Sequence, residues 1–199
     1  NLDTKEIYRC PSTANGFEYR PLSNILHNSW INCLLCSTND KLYIGTYDGL
    51  GCLDIPTMDF VSTYEINRLL QGDVIYALYE DLHHNIWVGT SQGLKQLNPQ
   101  TQKVREYTIS DGLPSNSISA IEGDANGNLW ISTNFGISRF NPGTQTFVNF
   151  YASDGLQGNE FSKGVSFAST QGEIIFGSTS GITYFNPGEI TSPNKNPEI

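Results

Sequence analysis

Apolar and polar positions along this chain fall into short runs of four to six residues, and no segment holds the 3.6-residue period of an amphipathic helix over several turns. In one stretch four such runs follow each other: Ile75 to Glu80, Ile86 to Thr90, Leu94 to Leu97 and Val104 to Ile109. Asp, Asn, Gly and Pro stand between them, which is turn chemistry, so the pattern predicts four β-strands joined by hairpins. Some runs alternate apolar and polar residues, as a half-buried strand does. Ile86-Trp87-Val88 and Leu129-Trp130-Ile131 are instead continuously apolar, the pattern of a strand covered on both faces.

The four-strand pattern repeats. Leu42-Tyr43-Ile44-Gly45-Thr46, Ile86-Trp87-Val88-Gly89-Thr90, Leu129-Trp130-Ile131-Ser132-Thr133 and Ile174-Ile175-Phe176-Gly177-Ser178 align, with fourth positions 44, 43 and 45 residues apart. A second glycine follows each at Gly49, Gly93, Gly136 and Gly181, and three of the next runs close on Asn-Pro. Four strands in a period of this length are the signature of a β-propeller blade. The expected fold is all-β: a propeller fragment of about four four-stranded antiparallel blades, at 30–66, 74–109, 118–151 and 164–190, plus a partial N-terminal blade. Residues 1–21 read as outer strands of that incomplete blade, and 191–199 as a linker toward a following domain.

With strands named a to d from the centre outward, Trp87 and Trp130 on strand b are expected to be buried between blades. The small residue two places on is expected where the adjoining sheet comes close. Asn126-Gly127 predicts a tight a–b hairpin of type I′, with positive φ at both central residues. About 4.5 periods do not close a ring, so each end of the arc is expected to expose an apolar face and favour self-association.

Composition supports this picture. Nineteen Gly, 10 Tyr, 10 Phe and 3 Trp accompany only 16% charged residues, as a pleated, turn-rich domain requires. The net charge of -9, with Lys and Arg scattered, argues against nucleic-acid or anionic-membrane partners. No run is long and apolar enough to span a bilayer, and the first residues lack a secretory signal pattern.

Several chemical signals fail their context. Cys33 and Cys36 have C-x-x-C spacing, but three residues apart on a strand they point to opposite faces. They read with Cys10 and Cys52 as structural thiols, a disulfide being the alternative. Gly89-Thr90-Ser91-Gln92-Gly93 matches a nucleophile elbow, which requires a strand-to-helix turn and not the strand-to-strand turn expected here. Asp124, Asn126 and Asn128 have the opening spacing of a calcium loop, yet Leu129 stands where Gly is needed and Phe135 where Glu is needed. His83-His84 falls in an a–b hairpin and His27 in a connection, so no metal, cofactor or catalytic residue is assigned.

Topology puts the b–c turns and d–a connections on one face around the channel mouth. There the sequence offers Tyr47, Asp48, Arg68, Gln92, Asn134, Phe135, Asn159 and Glu160 as candidate ligand-binding residues. Aromatic faces beside amides and acids suit an oligosaccharide or another small neutral ligand.

The unit Asp111-Gly112-Leu113-Pro114-Ser115-Asn116-Ser117-Ile118, Asp124-Ala125-Asn126-Gly127-Asn128-Leu129-Trp130-Ile131-Ser132-Thr133, then Phe135-Gly136-Ile137-Ser138-Arg139-Phe140-Asn141-Pro142, resembles the two-component regulator propeller repeat. The resemblance recurs in four registers. It implies the periplasmic sensor of a hybrid two-component histidine kinase anchored in the inner membrane, this chain being the C-terminal part of its second propeller. The remaining blades and an immunoglobulin-like Y_Y_Y domain would be its partners, and the kinase lies outside this chain. A propeller enzyme of the streptogramin-lyase or lactonase type, and a purely structural or dimerisation propeller, are the alternatives.

Overall fold

The computed structural model describes residues 6–9, 18–21, 30–61, 70 and 72–190. Five antiparallel sheets follow one another along the chain. β1 (Glu6–Arg9) pairs with β2 (Glu18–Pro21). The first blade sheet holds β3 (Ile31–Cys36), β4 (Lys41–Thr46) and β5 (Gly49–Asp54). The second holds β6 (Ile75–Glu80), β7 (Ile86–Thr90), β8 (Leu94–Asn98) and β9 (Lys103–Tyr107). β10 (Ile118–Gly123), β11 (Leu129–Thr133), β12 (Gly136–Asn141) and β13 (Thr146–Phe150) form the third. The fourth has β14 (Phe161–Ala168), β15 (Ile174–Ser178) and β16 (Gly181–Phe185). The molecule is thus an all-β propeller arc.

Two blades are narrower than expected among the described residues. Outside β5 the first sheet carries only the bridge Leu53↔Phe60. After β16 of the fourth sheet, Asn186 caps a 3-10 turn over Pro187–Glu189, where a proline at the start of a helical turn replaces a ladder donor.

Burial follows the doubly covered pattern. Every residue of β7 and β11 is buried. Trp87 packs with Tyr107 and, across the blade seam, Phe140, at ring centroid distances of 5.9 and 5.6 Å. Trp130 does the same with Phe150 and the fourth blade's Phe185, at 5.6 and 4.7 Å. Gly89 marks where the third blade comes close: a Cβ there would lie 2.6 Å from Ile118 Cγ2. At Gly45 it would meet Ile75 of the second blade at the same distance. Cys33 and Leu35 pack into the seam with the second blade, whereas Leu34 and Cys36 are exposed, so the C-x-x-C pair straddles the sheet. Cys33, Cys36 and Cys52 are free thiols, and burial pushes the Cys33 thiol up to about 12. Cys10 lies outside the described residues.

The a–b hairpin differs from the type I′ expectation. Only Gly127 has positive φ, at 78°, and its N–H donates to Asp124 O at 3.0 Å. Asp40, His84 and Gly172 occupy the same place in the other blades, with φ of 57°, 61° and 88°. One left-handed residue after a tight turn makes a three-residue hairpin with a bulge, which tolerates Asp or His where a type I′ turn would demand more. The carboxylate of Asp124 organises this turn, accepting from the N–H groups of Asn126 and Asn128, from Asn128 Nδ2 and from Trp130 Nε1 at 2.9 Å. The calcium-like spacing is therefore a turn whose acid anchors the blade tryptophan. Asp81 and Trp87 repeat it at 2.8 Å. Blades with Ser37 or Ser169 at this position have Tyr43 or Ile175 in place of Trp, so the acid and the indole occur together.

The outer face of the fourth sheet leaves Val165, Phe167, Ile182 and Tyr184 exposed, in the rows that carry Trp130 and Ile137 in the third blade. Glu122 lies at the seam beneath this sheet, and burial raises its carboxyl pKa, with the Ser166 hydroxyl opposing the shift.

Two outcomes follow from this packing. Gly89→Ala forces the second and third blades apart and is expected to lower stability by about 1–3 kcal/mol in urea denaturation. Because the folded pKa of Glu122 lies above its unfolded value, the native state binds this proton more readily. Its contribution to stability rises as pH falls through the folded pKa toward the ordinary carboxylate value, and is lost again above it. Glu122→Gln is expected to remove that part of the stability-versus-pH profile and to raise stability at neutral pH.

Candidate functional site

The b–c turns are built by one repeated device. Thr46, Thr90, Thr133 and Ser178 each donate a side-chain hydroxyl to the carbonyl of the glycine three residues on, at 2.9 to 3.1 Å. Each also accepts the N–H two residues on. The glycine has positive φ in all four turns, and at Gly136 a Cβ would collide with Phe150 O at 2.5 Å. Locked this way, the two central residues point outward: Tyr47 and Asp48, Ser91 and Gln92, Asn134 and Phe135, Thr179 and Ser180.

Backbone hydrogen bonds join these turns to the connections entering strand a. Tyr47 N donates to Trp30 O, Ser91 N to Val74 O, Asn134 N to Ser117 O and Gly136 N to Asn159 O. The b–c turns and the d–a connections therefore share one face. Tyr47 and Phe135 are 52% and 54% exposed, and Asp48, Gln92, Asn134 and Glu160 are exposed beside them. Phe135 packs against Tyr151 with centroids 5.7 Å apart. Asn159 is committed to its own loop, where its Oδ1 accepts the Ala152 N–H at 2.7 Å, as Asn116 Oδ1 accepts that of Ile109. Arg68 lies outside the described residues. Ser91 sits between β7 and β8, so the elbow-like pentad is a strand-to-strand turn.

Nearer the axis the structure brings together residues that the sequence reading did not single out. The inner strands of the first three blades each carry a bulge, at Asn32, Tyr76 and Ser119. Asn32 Nδ2 donates to Ile75 O, and Ser119 Oγ to Phe161 O, so these bulges stitch one blade to the next. In β14 the bulge is longer: pairing moves from Phe161 to Ser166 while the partner moves only from Ser178 to Phe176. The looped-out stretch carries Lys163 to the second blade, with Nζ 4.3 Å from the Tyr76 ring centre. Its ammonium donates to Ser117 Oγ at 2.6 Å and Ile118 O at 3.0 Å, and burial pulls its pKa down. No carboxylate pairs with it among the described residues. A contact between blades two apart is available only around the axis, so Lys163 marks the channel on the same face as the b–c turns. The available signal was length: the fourth inner strand is longer than the others, at eight residues.

His83 and His84 lie on the opposite face, in the second a–b hairpin, where His84 Nδ1 lies 3.0 Å from Glu80 Oε1. His27 lies outside the described residues. Among the described residues no group of three or more His, Cys, Asp or Glu is placed to hold a metal ion, and no helix is long and apolar enough to cross a membrane.

Lys163→Met keeps the apolar stem but loses the charge. It is expected to lower stability by about 1 kcal/mol in urea denaturation and to shift the Tyr76 ring resonances in NMR spectra.

Comparisons with known proteins agree with this architecture. Residues 112–135 match the family model described as two component regulator propeller. In structure the chain is similar to the extracellular domain of a hybrid two component system from B. thetaiotaomicron, with a TM-score of 0.72 and 28% identity over 82% of this chain and 22% of that one. A second such domain from the same organism has a TM-score of 0.72 at 22% identity, over 91% and 24% of the two chains. Virginiamycin B lyase from Staphylococcus aureus has a TM-score of 0.64 at 18% identity, over 95% and 64%, a likeness of fold. No curated protein matches the chain. The chain spans about a quarter or less of these two extracellular domains. Its repeated blades and their turn chemistry make it a β-propeller segment, one stretch of which matches the two component regulator propeller model and whose fold is similar to that of the extracellular domains of hybrid two component systems.

Proposed function

We propose that this segment is part of a periplasmic sensor that binds an oligosaccharide on its b–c face and passes the change to a kinase elsewhere in a longer protein. The observation that carries the reading is the exposed Phe135 ring. It is held by the Thr133 turn beside the Asn134 amide and backed by Tyr151, which pairs a flat apolar surface with a hydrogen-bonding group. Tyr47 with Asp48 repeats the arrangement two blades away, and Gln92 adds an amide between them. Arg68, Asn159 and Glu160 belong to the connections on this face in the same reading. A propeller enzyme of the lyase type has less support, since the two described histidines lie on the other face.

The blade segments at 30–66, 74–109, 118–151 and 164–190 then form one stretch of a larger ring, preceded by the outer strands within 1–21 and followed by a linker at 191–199. The exposed row of Val165, Phe167, Ile182 and Tyr184 fits a further blade of the same protein, because the equivalent row of the third blade is covered in that way. Without that blade, the same apolar face favours self-association of the isolated chain.

Isothermal titration of the whole extracellular region against a panel of oligosaccharides tests the proposal. At least one is expected to bind, and Phe135→Ala is expected to weaken it about tenfold, equivalent to about 1.4 kcal/mol. Binding by none of them, or full affinity in the Phe135 variant, would overturn it.

A further inference from the structure

On the face opposite the b–c turns, a cleft of about 590 Å³ opens between the second and third blades. That volume is within the usual range for small-molecule sites. Its origin is visible by comparison with the preceding seam. Between the first and second blades, Thr38 donates its N–H and its hydroxyl to the Glu80 carboxylate, both at 2.8 Å, and His84 joins the same group. That seam is tied shut.

The same positions one blade later hold Leu82 and Gly123. Leu82 follows Asp81 as Thr38 follows Ser37, and Gly123 pairs with Leu129 as Glu80 pairs with Ile86. Neither residue can form the tie, and Leu82 is left 76% exposed. Gly123 also makes room for Tyr79, because a Cβ at that position would collide with the Tyr79 hydroxyl. The missing side chain thus removes the tie and admits the Tyr79 phenol to the seam.

The groups facing the cleft have unused hydrogen-bonding capacity. The Tyr79 hydroxyl and the side-chain amides of Gln96 and Asn126 line it, and none of the three makes a side-chain hydrogen bond among the described residues. A phenol and two primary amides present donors and acceptors side by side, the arrangement that vicinal hydroxyls require. Leu82 and Pro142 add apolar surface for C–H groups. Asp81, Asp124 and His83 are the titratable side chains besides Tyr79 that line the cleft, and no Lys or Arg does, so its fixed charge is negative and an anion is disfavoured.

We propose that this cleft is a second ligand site, specific for a neutral sugar and independent of the loop face. The test is titration of the full chain with maltose, cellobiose and lactose, with galacturonate as the anionic counterpart, followed by amide NMR shifts. A neutral disaccharide is expected to move the amide signals of Ala125, Asn126, Gly127 and Gly143. Tyr79→Phe and Gln96→Ala are each expected to weaken that binding about fivefold or more while leaving the spectrum folded. Leu82→Trp, a change at an exposed position, is expected to fill the cleft and abolish it. The proposal is overturned if no neutral disaccharide shifts these signals, if shifts appear only at the b–c turns, if galacturonate binds as well, or if the Tyr79 and Gln96 variants bind unchanged.

Discussion

A three- or four-stranded sheet that is apolar on both faces is stable only when both faces are covered, and in this chain each blade is covered by the next. The seams carry nearly all of the large buried side chains. Trp87, Tyr107 and Phe140 fill one, and Trp130, Phe150 and Phe185 fill the next. This single requirement accounts for the continuous apolar run of strand b and for the glycine that lets Ile75 or Ile118 approach. It also explains why the apolar row on the fourth sheet stands out, since no blade among the described residues covers it.

Polar chemistry is confined to the edges of the seams, and it has two repeated forms. A threonine or serine hydroxyl closes each b–c turn, and an aspartate or serine closes each a–b hairpin. Where the hairpin residue is aspartate, its second oxygen reaches the indole N–H of a buried tryptophan. A buried indole donor without a partner would cost about 1–3 kcal/mol, so the acid allows the larger ring to be used. Because turns of one kind lie on one face, small changes at equivalent positions alter each face separately.

Departures from the repeat are the places where specific chemistry arises. The long bulge in β14 carries Lys163 across the axis, and Gly123 opens a seam that Glu80 closes one blade earlier. Both are irregularities of one or a few residues within a regular scaffold. The scaffold tolerates them because the inter-blade cores are complete without them.

Much of the fold was legible in the sequence alone, because strand-length runs, turn residues and a period near 44 residues are local properties that recur. The four strands of the second blade, the buried tryptophans and the crowded glycines follow from that pattern and from the geometry of stacked sheets. The shared face of Tyr47, Gln92, Asn134 and Phe135 was also legible, since strand alternation alone sends like turns to the same side. Other features required the tertiary structure. The hairpin at Asn126-Gly127 contains one left-handed residue where two were expected, a matter of one backbone angle that the dipeptide does not specify. The commitment of Asn159 to its own loop depends on a side-chain contact to Ala152 that the residue type does not specify, and the reach of Lys163 to Tyr76 and the meeting of Tyr79 with Gly123 depend on residues about 40 to 90 positions apart meeting across a seam or the axis. The sequence by itself determined the blades and the faces on which their turns lie. Only the packing of blade against blade decided which side chains are used up internally and which are left to meet a ligand, because that depends on distances between strands that no local pattern encodes.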